Sequence, residues 1–168
     1  MRLKRTTTCG QLTAENVNEE VILNGWIAKN RDHGGVIFLD LRDRYGKTQV
    51  TFNPDLDGDI AAEAKRLGME DVVAVRGTVQ LRPDGNVNPN MPTGSIEVVA
   101  TELEVLNEAQ PLPSLVSDRE SGSEDLRLEY RYLELRTAEL QKLMTIRSKT
   151  YQSARSRLNA EGFMEFET

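Results

Sequence analysis

The sequence has few of the residues that build disulfides and metal centres. Its 168 residues include one cysteine, Cys9, and one histidine, His33. A single cysteine excludes an internal disulfide and a cysteine-based zinc cluster, and a single histidine excludes a histidine-rich metal site. We therefore expect no metal site and no disulfide in this chain.

Long apolar runs are absent as well. No stretch of eighteen apolar residues occurs, which excludes a transmembrane helix, so no membrane partner is expected. The N-terminus is basic at Arg2, Lys4 and Arg5, but Thr6, Thr7 and Thr8 follow where a signal peptide needs an apolar stretch. We expect a cytoplasmic protein.

Positive charge is the smaller of the two charge classes, with 21 Lys and Arg against 27 Asp and Glu and a net charge of −6. This balance argues against binding of nucleic acid by bulk charge. Between Trp26 and Gln49, however, five basic residues stand against three acidic ones, a local excess of +2. A basic island on an acidic chain suits a partner that is bound at one place through specific contacts.

The stretch from Glu20 to Glu108 shows the alternation and turn signals of β-structure. Asp43 to Gly46 predicts a four-residue hairpin connection, and a loop rich in Pro and Gly precedes the last strand. The predicted strands are Val21–Lys29, Val36–Arg42, Lys47–Asn53, Val72–Leu81 and Ser95–Leu106, with a short helix at Ile60–Leu67. This order predicts a mainly β protein with a five-stranded, partly open OB-fold barrel. The alternative, a β-sandwich, usually needs about seven strands.

The region after the predicted barrel changes character. Residues 1–108 are expected to form the barrel domain, and residues 109–136 a linker or hinge rich in Pro and Ser. Thr137 is placed to cap a helix to about Ala160, ended by Gly162, with a strand starting at Phe163. The apolar stripe of this helix comprises Leu140, Leu143, Met144, Tyr151, Ala154 and Leu158. A helix and one strand cannot bury their apolar faces alone, so residues 137–168 are expected to be the truncated start of a larger α/β domain.

The outer face of the barrel is the candidate site. Strict alternation puts Ile37, Leu39 and Leu41 inside and Phe38 outside, with Gln49 diagonal to Phe38 on the paired strand. The same alternation sends Lys47, Thr51 and Glu97 outward and Thr48, Val50, Phe52, Ile96 and Val98 inward. An exposed ring beside an amide and basic groups suits a single-stranded nucleic acid. The ring stacks on a base, Gln49 reads its edge, and Lys29 or Arg31 meets phosphate. The loops Arg31–Gly35 and Pro83–Thr93 flank this face. The alternative is that the N-terminal segment or the short helix covers Phe38.

Three segments resemble a known family. Gly25-Trp26, the run Arg31–Arg44 (RDHGGVIFLDLRDR), Gly46 and Gln49-Val50 resemble the anticodon-binding domain of bacterial-type aspartyl-tRNA synthetases. Tyr130–Arg136 resembles the entry to their catalytic domain, and Gly162–Thr168 the end of class II motif 1. The resemblance implies ATP- and magnesium-dependent aspartylation of tRNA(Asp) by the full-length enzyme, and a homodimer formed through motif 1. Motifs 2 and 3 are absent here, so the fragment itself is expected to be inactive and to bind no cofactor.

The resemblance also implies roles for individual residues. Phe38 matches the ring that stacks on the middle anticodon base, and Gln49 matches the amide that reads that base. Further contacts to anticodon nucleotides or backbone are implied for Lys29, Arg31, Arg82, Asn86 and Glu97. Asn30 replaces a residue that is commonly arginine, which is expected to weaken a phosphate contact.

His33 and Gly85 match the positions that separate strict from relaxed members of the family. Histidine with glycine resembles the relaxed form, which also aspartylates tRNA(Asn). The physical reading agrees, because Gly85 carries no side chain that could reject uracil in place of cytosine at the third anticodon base.

Two other classes of function are open at this stage. A freestanding OB-fold module for single-stranded DNA or RNA would not need the helix and the residues that follow it. A barrel that binds a protein partner would need an apolar outer face, whereas Arg42, Lys47, Gln49 and Thr51 are polar. The resemblance favours recognition of a tRNA anticodon over both.

Overall fold

The computed structural model describes residues 2–116 and 122–167, so Ser117 and Ser121 of the predicted linker lie outside the described residues. The chain divides into two compact units, residues 1–110 and 111–168. No helix in the described ranges has the length and apolar character that a bilayer span requires.

The first unit is a five-stranded barrel. Its strands are β1 (Glu20–His33), β2 (Val36–Arg42), β3 (Lys47–Phe52), β4 (Val72–Leu81) and β5 (Ile96–Asn107). They are ordered β1-β2-β3-β5-β4, and β4 pairs back with β1, so the ring is closed. Neighbouring strands are antiparallel except β3 and β5, which run parallel. The helix α1 (Gly58–Arg66) lies between β3 and β4, as the sequence predicts.

The barrel interior confirms the predicted inward faces. Alternate residues of each strand are fully buried, because successive side chains of a strand point to opposite faces. These include Leu23 and Ile27 of β1, Ile37, Leu39 and Leu41 of β2, Val50 and Phe52 of β3, and Ile96 and Val98 of β5. Burying each such side chain contributes about 1.5–3 kcal/mol. Ala61 and Ala64 of α1 join the same core.

The N-terminal segment is bound to the β2–β3 turn. The Cys9 N–H donates to the Asp43 carboxylate at 2.9 Å, and the Thr48 hydroxyl donates to the Cys9 carbonyl at 2.6 Å. A Cβ on Gly10 would lie 2.1 Å from the Tyr45 carbonyl oxygen, so only glycine fits there. The segment thus adds Leu3, Cys9 and Leu12 to the buried residues.

The described residues of the second unit form three helices: α2 (Glu124–Glu129), α3 (Arg131–Glu134) and α4 (Ala138–Ala160). The first two lie within the region 109–136 that the sequence predicts to be a linker. The bounds of α4 agree with the predicted helix, although the Thr137 side chain makes no capping hydrogen bond. Of the predicted stripe Leu140 is buried, whereas Leu143, Tyr151 and Leu158 are exposed.

The predicted strand from Phe163 to Glu167 is wrong. These residues are irregular, and Phe163, Met164 and Phe166 are exposed. A strand needs a neighbour that accepts and donates its backbone hydrogen bonds. The side-chain alternation at Phe163–Glu167 indicates a strand but supplies no such neighbour.

Candidate nucleic-acid interface

A bulge in β1 determines which of its side chains reach the outer face of the barrel. Trp26 and Ile27 pair with Arg42 and Leu41, but the next paired residue is Lys29, opposite Asp40, so Ala28 is the extra residue. A bulge of this kind reverses the alternation of the strand beyond it. Before the bulge, the odd-numbered residues Val21, Leu23 and Ile27 are buried in the barrel. Beyond it, the odd-numbered residues Lys29 and Arg31 lie on the outer face, where they pair with Asp40 and Phe38.

Phe38 points outward, as predicted, and its side chain is half-buried. Its backbone lies between Arg31 on β1 and Thr51 on β3. The His33 ring packs against the Phe38 ring edge-to-face, with centroids 5.9 Å apart and planes at 64°. The sequence-predicted stacking ring and one of the two predicted discrimination residues therefore form one aromatic pair.

Gln49 lies opposite Asp40 and diagonal to Phe38, but it is only 8% exposed. Arg31 forms an ion pair with Asp40 and donates from Nη2 to Gln49 Oε1 at 3.3 Å. Gln49 Nε2 donates in turn to Glu97 Oε2 at 2.8 Å. The sequence predicts that the Gln49 side chain is exposed to solvent. The structure corrects this prediction, because Gln49 is buried within a hydrogen-bonded cluster with Arg31 and Glu97.

Thr51 and Asp40 are the members of this cluster that the sequence reasoning did not single out. The Thr51 hydroxyl donates to Glu97 Oε2 at 2.7 Å, and Thr51 is itself buried. Asp40 holds the guanidinium of Arg31. Strand alternation places both residues on the outer face, and the hairpin register places Asp40 opposite Gln49. These two sequence features are therefore sufficient to predict that both residues belong to the site.

Arg82 follows β4 and is 7% exposed. Its Nε donates to the Ile96 carbonyl at 2.9 Å, and its Nη2 has no hydrogen-bond partner among the described residues. Burial lowers the pKa of Arg82, while the carboxylates of Glu97 and Asp40 act in the opposite direction. Arg82 is therefore a buried cation that interacts with the carboxylates of the cluster, and it is less accessible than its predicted role as a nucleotide contact suggests.

The two predicted flanking loops differ in length. The first is a two-residue turn, Gly34-Gly35, with φ of 64° and 92°, as a tight hairpin turn requires. The predicted loop Arg31–Gly35 is thus wrong for its first three residues, which belong to β1 because they pair with β2. Asp32 accepts from Lys65 of α1 at 2.8 Å and from the Gly35 N–H at 2.9 Å, and these interactions, with Lys65 first, lower the pKa of Asp32.

The second loop connects β4 to β5 and carries Gly85 and the exposed Asn86. Gly85 has φ of 89°, and a Cβ built there would meet no atom within 4 Å. The Thr93 hydroxyl donates to the Lys47 carbonyl at 2.5 Å and fixes the end of the loop to the start of β3. Space beside Gly85 is therefore open.

Asn30 does not lie on the outer face. It pairs with the inward residue Leu39, and its Nδ2 donates to the Ala64 and Leu67 carbonyls at 3.0 and 2.8 Å. These carbonyls end α1. The expectation that Asn30 weakens a phosphate contact is therefore corrected, because its side chain binds the helix terminus.

The structure brings Arg31, Phe38, Gln49 and Glu97 together on one face, with Lys29 exposed beside them. Residues 21–106 match the family model described as "OB-fold nucleic acid binding domain", and the chain belongs to that family. Residues 123–168 match the model described as "tRNA synthetases class II (D, K and N)". The resemblance drawn from the sequence is thus confirmed.

Two curated relatives that match nearly the whole chain share one name. The chain is 50% identical over 164 residues to the Aspartate--tRNA(Asp/Asn) ligase of Oleidesulfovibrio alaskensis, covering 98% of this chain and 27% of that protein. It is 49% identical over 166 residues to the ligase of the same name from Moorella thermoacetica, covering 99% and 28%. The chain therefore spans about 28% of the length of these relatives.

Solved structures agree with the fold. Asparaginyl-tRNA synthetase from Pyrococcus horikoshii superposes with a TM-score of 0.82 at 29% identity, over 98% of this chain and 37% of that one. Aspartyl tRNA synthetase from Entamoeba histolytica gives 0.87 at 20% identity, over 99% and 39%, which shows the fold alone.

Proposed function

We propose that this chain is the anticodon-recognising part of an aspartate–tRNA ligase that activates aspartate with ATP and transfers it to tRNA(Asp). The observation that carries the proposal is the β1 bulge, which puts Lys29 and Arg31 on the face that holds Phe38 and Gln49. The names of the relatives support the choice of aspartate as the amino acid. The match of residues 123–168 to class II synthetases supports a catalytic domain that begins in the second unit.

In this proposal the Phe38 ring stacks on the middle anticodon base, a contact worth about 1–3 kcal/mol. Gln49 reads the edge of that base, and Lys29 and Arg31 bind backbone phosphate. Asn86 reaches the nucleotide beside the β4–β5 loop, and the remaining anticodon contacts come from Arg82 and Glu97. Phosphate contacts set position, whereas base contacts give specificity.

The chemistry belongs to other parts of the ligase. Among residues 2–116 and 122–167, no group of three or more His, Cys, Asp or Glu side chains could hold a metal ion. We propose that ATP and magnesium bind in parts of the ligase outside this chain, and we assign no step of the reaction to the residues described here. We propose the cytoplasm as the compartment and a homodimer formed through the motif 1 region of the second unit. Its exposed Leu143, Ile146 and Phe163 support that contact.

We further propose that the ligase accepts tRNA(Asn) as well as tRNA(Asp). Their GUC and GUU anticodons differ at the third base, and the open space at Gly85 offers nothing that rejects uracil there. Both relatives described above are named for tRNA(Asp/Asn). The double variant His33→Leu, Gly85→Lys should weaken binding of a GUU stem-loop more than of a GUC stem-loop. Gly85→Ala, which shares the backbone strain of a residue with positive φ, is the matched control.

The affinity of the chain for synthetic anticodon stem-loops tests the main proposal. Calorimetric titration should give tighter binding to a GUC stem-loop than to the same stem carrying a permuted loop. A freestanding module for single strands would bind both loops, and an unstructured oligonucleotide, with similar affinity. That result would contradict anticodon recognition.

A further inference from the structure

The amide of Gln49 is held at both ends, and this fixes its direction. Its Oε1 accepts from Arg31 at 3.3 Å, and its Nε2 donates to Glu97 at 2.8 Å. A rotation of the amide by 180° would set its NH₂ group against the guanidinium and its oxygen against the carboxylate. Both new contacts would pair like with like, so the observed direction is strongly favoured.

Residues 2–116 and 122–167 use only half of the hydrogen-bonding capacity of this amide. A primary amide has two N–H donors and two acceptor lone pairs. One donor is used by Glu97 and one lone pair by Arg31, which leaves one of each for a ligand. Because the direction of the amide is fixed, its free N–H always lies on the Glu97 side and its free lone pair on the Arg31 side.

Two further side chains hold the hydrogen-bond partners of the Gln49 amide in place. The Thr51 hydroxyl donates to the same Glu97 oxygen that accepts from Gln49, at 2.7 Å, and Thr51 is buried. On the other side Asp40 forms the ion pair that holds Arg31. Without the hydroxyl, the Glu97 carboxylate loses one of the two hydrogen bonds that fix its rotamer.

We propose that Thr51 and Asp40 are positioning residues of the anticodon-binding face, which set the direction of the Gln49 amide and thereby its choice of base. The inference rests on the proposed function. Uracil and cytosine present opposite donors and acceptors at positions 3 and 4 of the ring, so an amide of fixed direction distinguishes them. An amide free to rotate serves both.

The protein without RNA gives the first test. In NMR spectra of the 168-residue chain, the side-chain NH₂ of Gln49 should give two resolved signals with slow hydrogen exchange. Thr51→Val keeps the shape but removes the hydroxyl, and exchange of the Gln49 NH₂ should accelerate by about tenfold. Thr51→Ser keeps a hydroxyl and should restore slow exchange. Unchanged exchange in Thr51→Val would overturn the proposal.

Stem-loops whose middle base is uracil or cytosine give the second test. The ratio of the two affinities should fall by about tenfold in Thr51→Val, the effect of one lost hydrogen bond to a charged group, and should be retained in Thr51→Ser. Asp40→Asn should lower the ratio as well. Thr101→Val, an exposed position on β5, is the control and should leave the ratio unchanged.

The two tests separate failure of the inference from failure of the proposed function. If the wild-type chain prefers uracil and Thr51→Val keeps the same ratio, the positioning role is overturned and anticodon recognition stands. If the wild-type chain does not distinguish a GUC loop from a permuted loop, anticodon recognition fails and the role in base choice fails with it.

Discussion

At the scale of single residues, Phe38 illustrates how one strand serves both the core and the surface. Its neighbours Ile37 and Leu39 are 1% and 0% exposed, while Phe38 itself is half-buried beside His33. Period-two alternation is sufficient to predict these faces. It does not predict the burial of Arg82, which lies beyond the end of β4 and donates to the Ile96 carbonyl of β5.

Replacing Phe38 with Ala should weaken stem-loop binding by about 1–3 kcal/mol, the value of one stacked base. Stability should fall by less than the roughly 3–5 kcal/mol typical of a buried phenylalanine. Phe52→Ala, at a fully buried position of β3, is the matched control and should show the larger loss. Titration and thermal melting of both variants decide the matter. A Phe38→Ala protein that melts like Phe52→Ala and binds normally would place the ring in the core.

Cys9 gives a prediction about pH. Burial, and then the Asp43 carboxylate, raise the pKa of its thiol far above the ordinary value. The thiol of the unfolded chain ionises at about pH 8.5, whereas the thiol of the folded protein stays protonated at that pH. The stability that Cys9 contributes is therefore fully present below about pH 8.5 and decreases as pH rises above it.

The difference in free energy of unfolding between the wild type and Cys9→Ala should consequently shrink from pH 7 to pH 10. Urea titrations at each pH measure this difference. A thiol reagent should also modify Cys9 only in step with unfolding, because the side chain is fully buried. Rapid modification in the native state would contradict the buried position.

At the scale of elements, the sequence predicts β4 with the bounds that the structure has, and α4 nearly so. The β1 bulge and the extension of β1 to His33 could not be predicted, because each depends on pairing with β2. The N-terminal segment could not be predicted either, since irregular backbone has no period to detect.

Replacing Asn30 with Ala should mainly lower stability, whereas replacing Asn86 with Ala should mainly lower stem-loop affinity. Asn30→Ala removes two hydrogen bonds to the end of α1, at 3.0 and 2.8 Å, and should lower stability by about 1–3 kcal/mol. Its effect on stem-loop affinity should be small. Asn86→Ala, at an exposed loop position, should lower affinity and leave the melting temperature unchanged. Thermal melting and stem-loop titration of both variants test this prediction. A loss of affinity in Asn30→Ala at unchanged stability would contradict it and indicate that Asn30 contacts the RNA.

At the scale of the whole molecule, charge limits how the chain binds RNA. The net charge is −6, and the basic side chains of the candidate face divide into exposed and buried ones. Lys29 is exposed and Arg31 partly so, whereas Arg82 is buried. About two phosphate contacts are therefore available.

The logarithm of stem-loop affinity should fall with the logarithm of salt concentration with a slope of about −1.4, the value for two phosphates on a single strand. Lys29→Ala should reduce that slope by about 0.7. Lys142→Ala, an exposed position in the second unit, should leave it unchanged. A slope several times steeper would indicate a much broader basic surface than the one on this barrel.

The central claim is that the outer face of the barrel reads an anticodon, and NMR mapping of the bound RNA tests it most directly. On titration with a GUC stem-loop, amide shifts should concentrate in residues 29–33 of β1, in β2 and β3, around Glu97, and in the β4–β5 loop. The permuted loop should not reproduce this pattern. Shifts confined to the N-terminal segment or to α4, or an identical pattern with the permuted loop, would contradict the account.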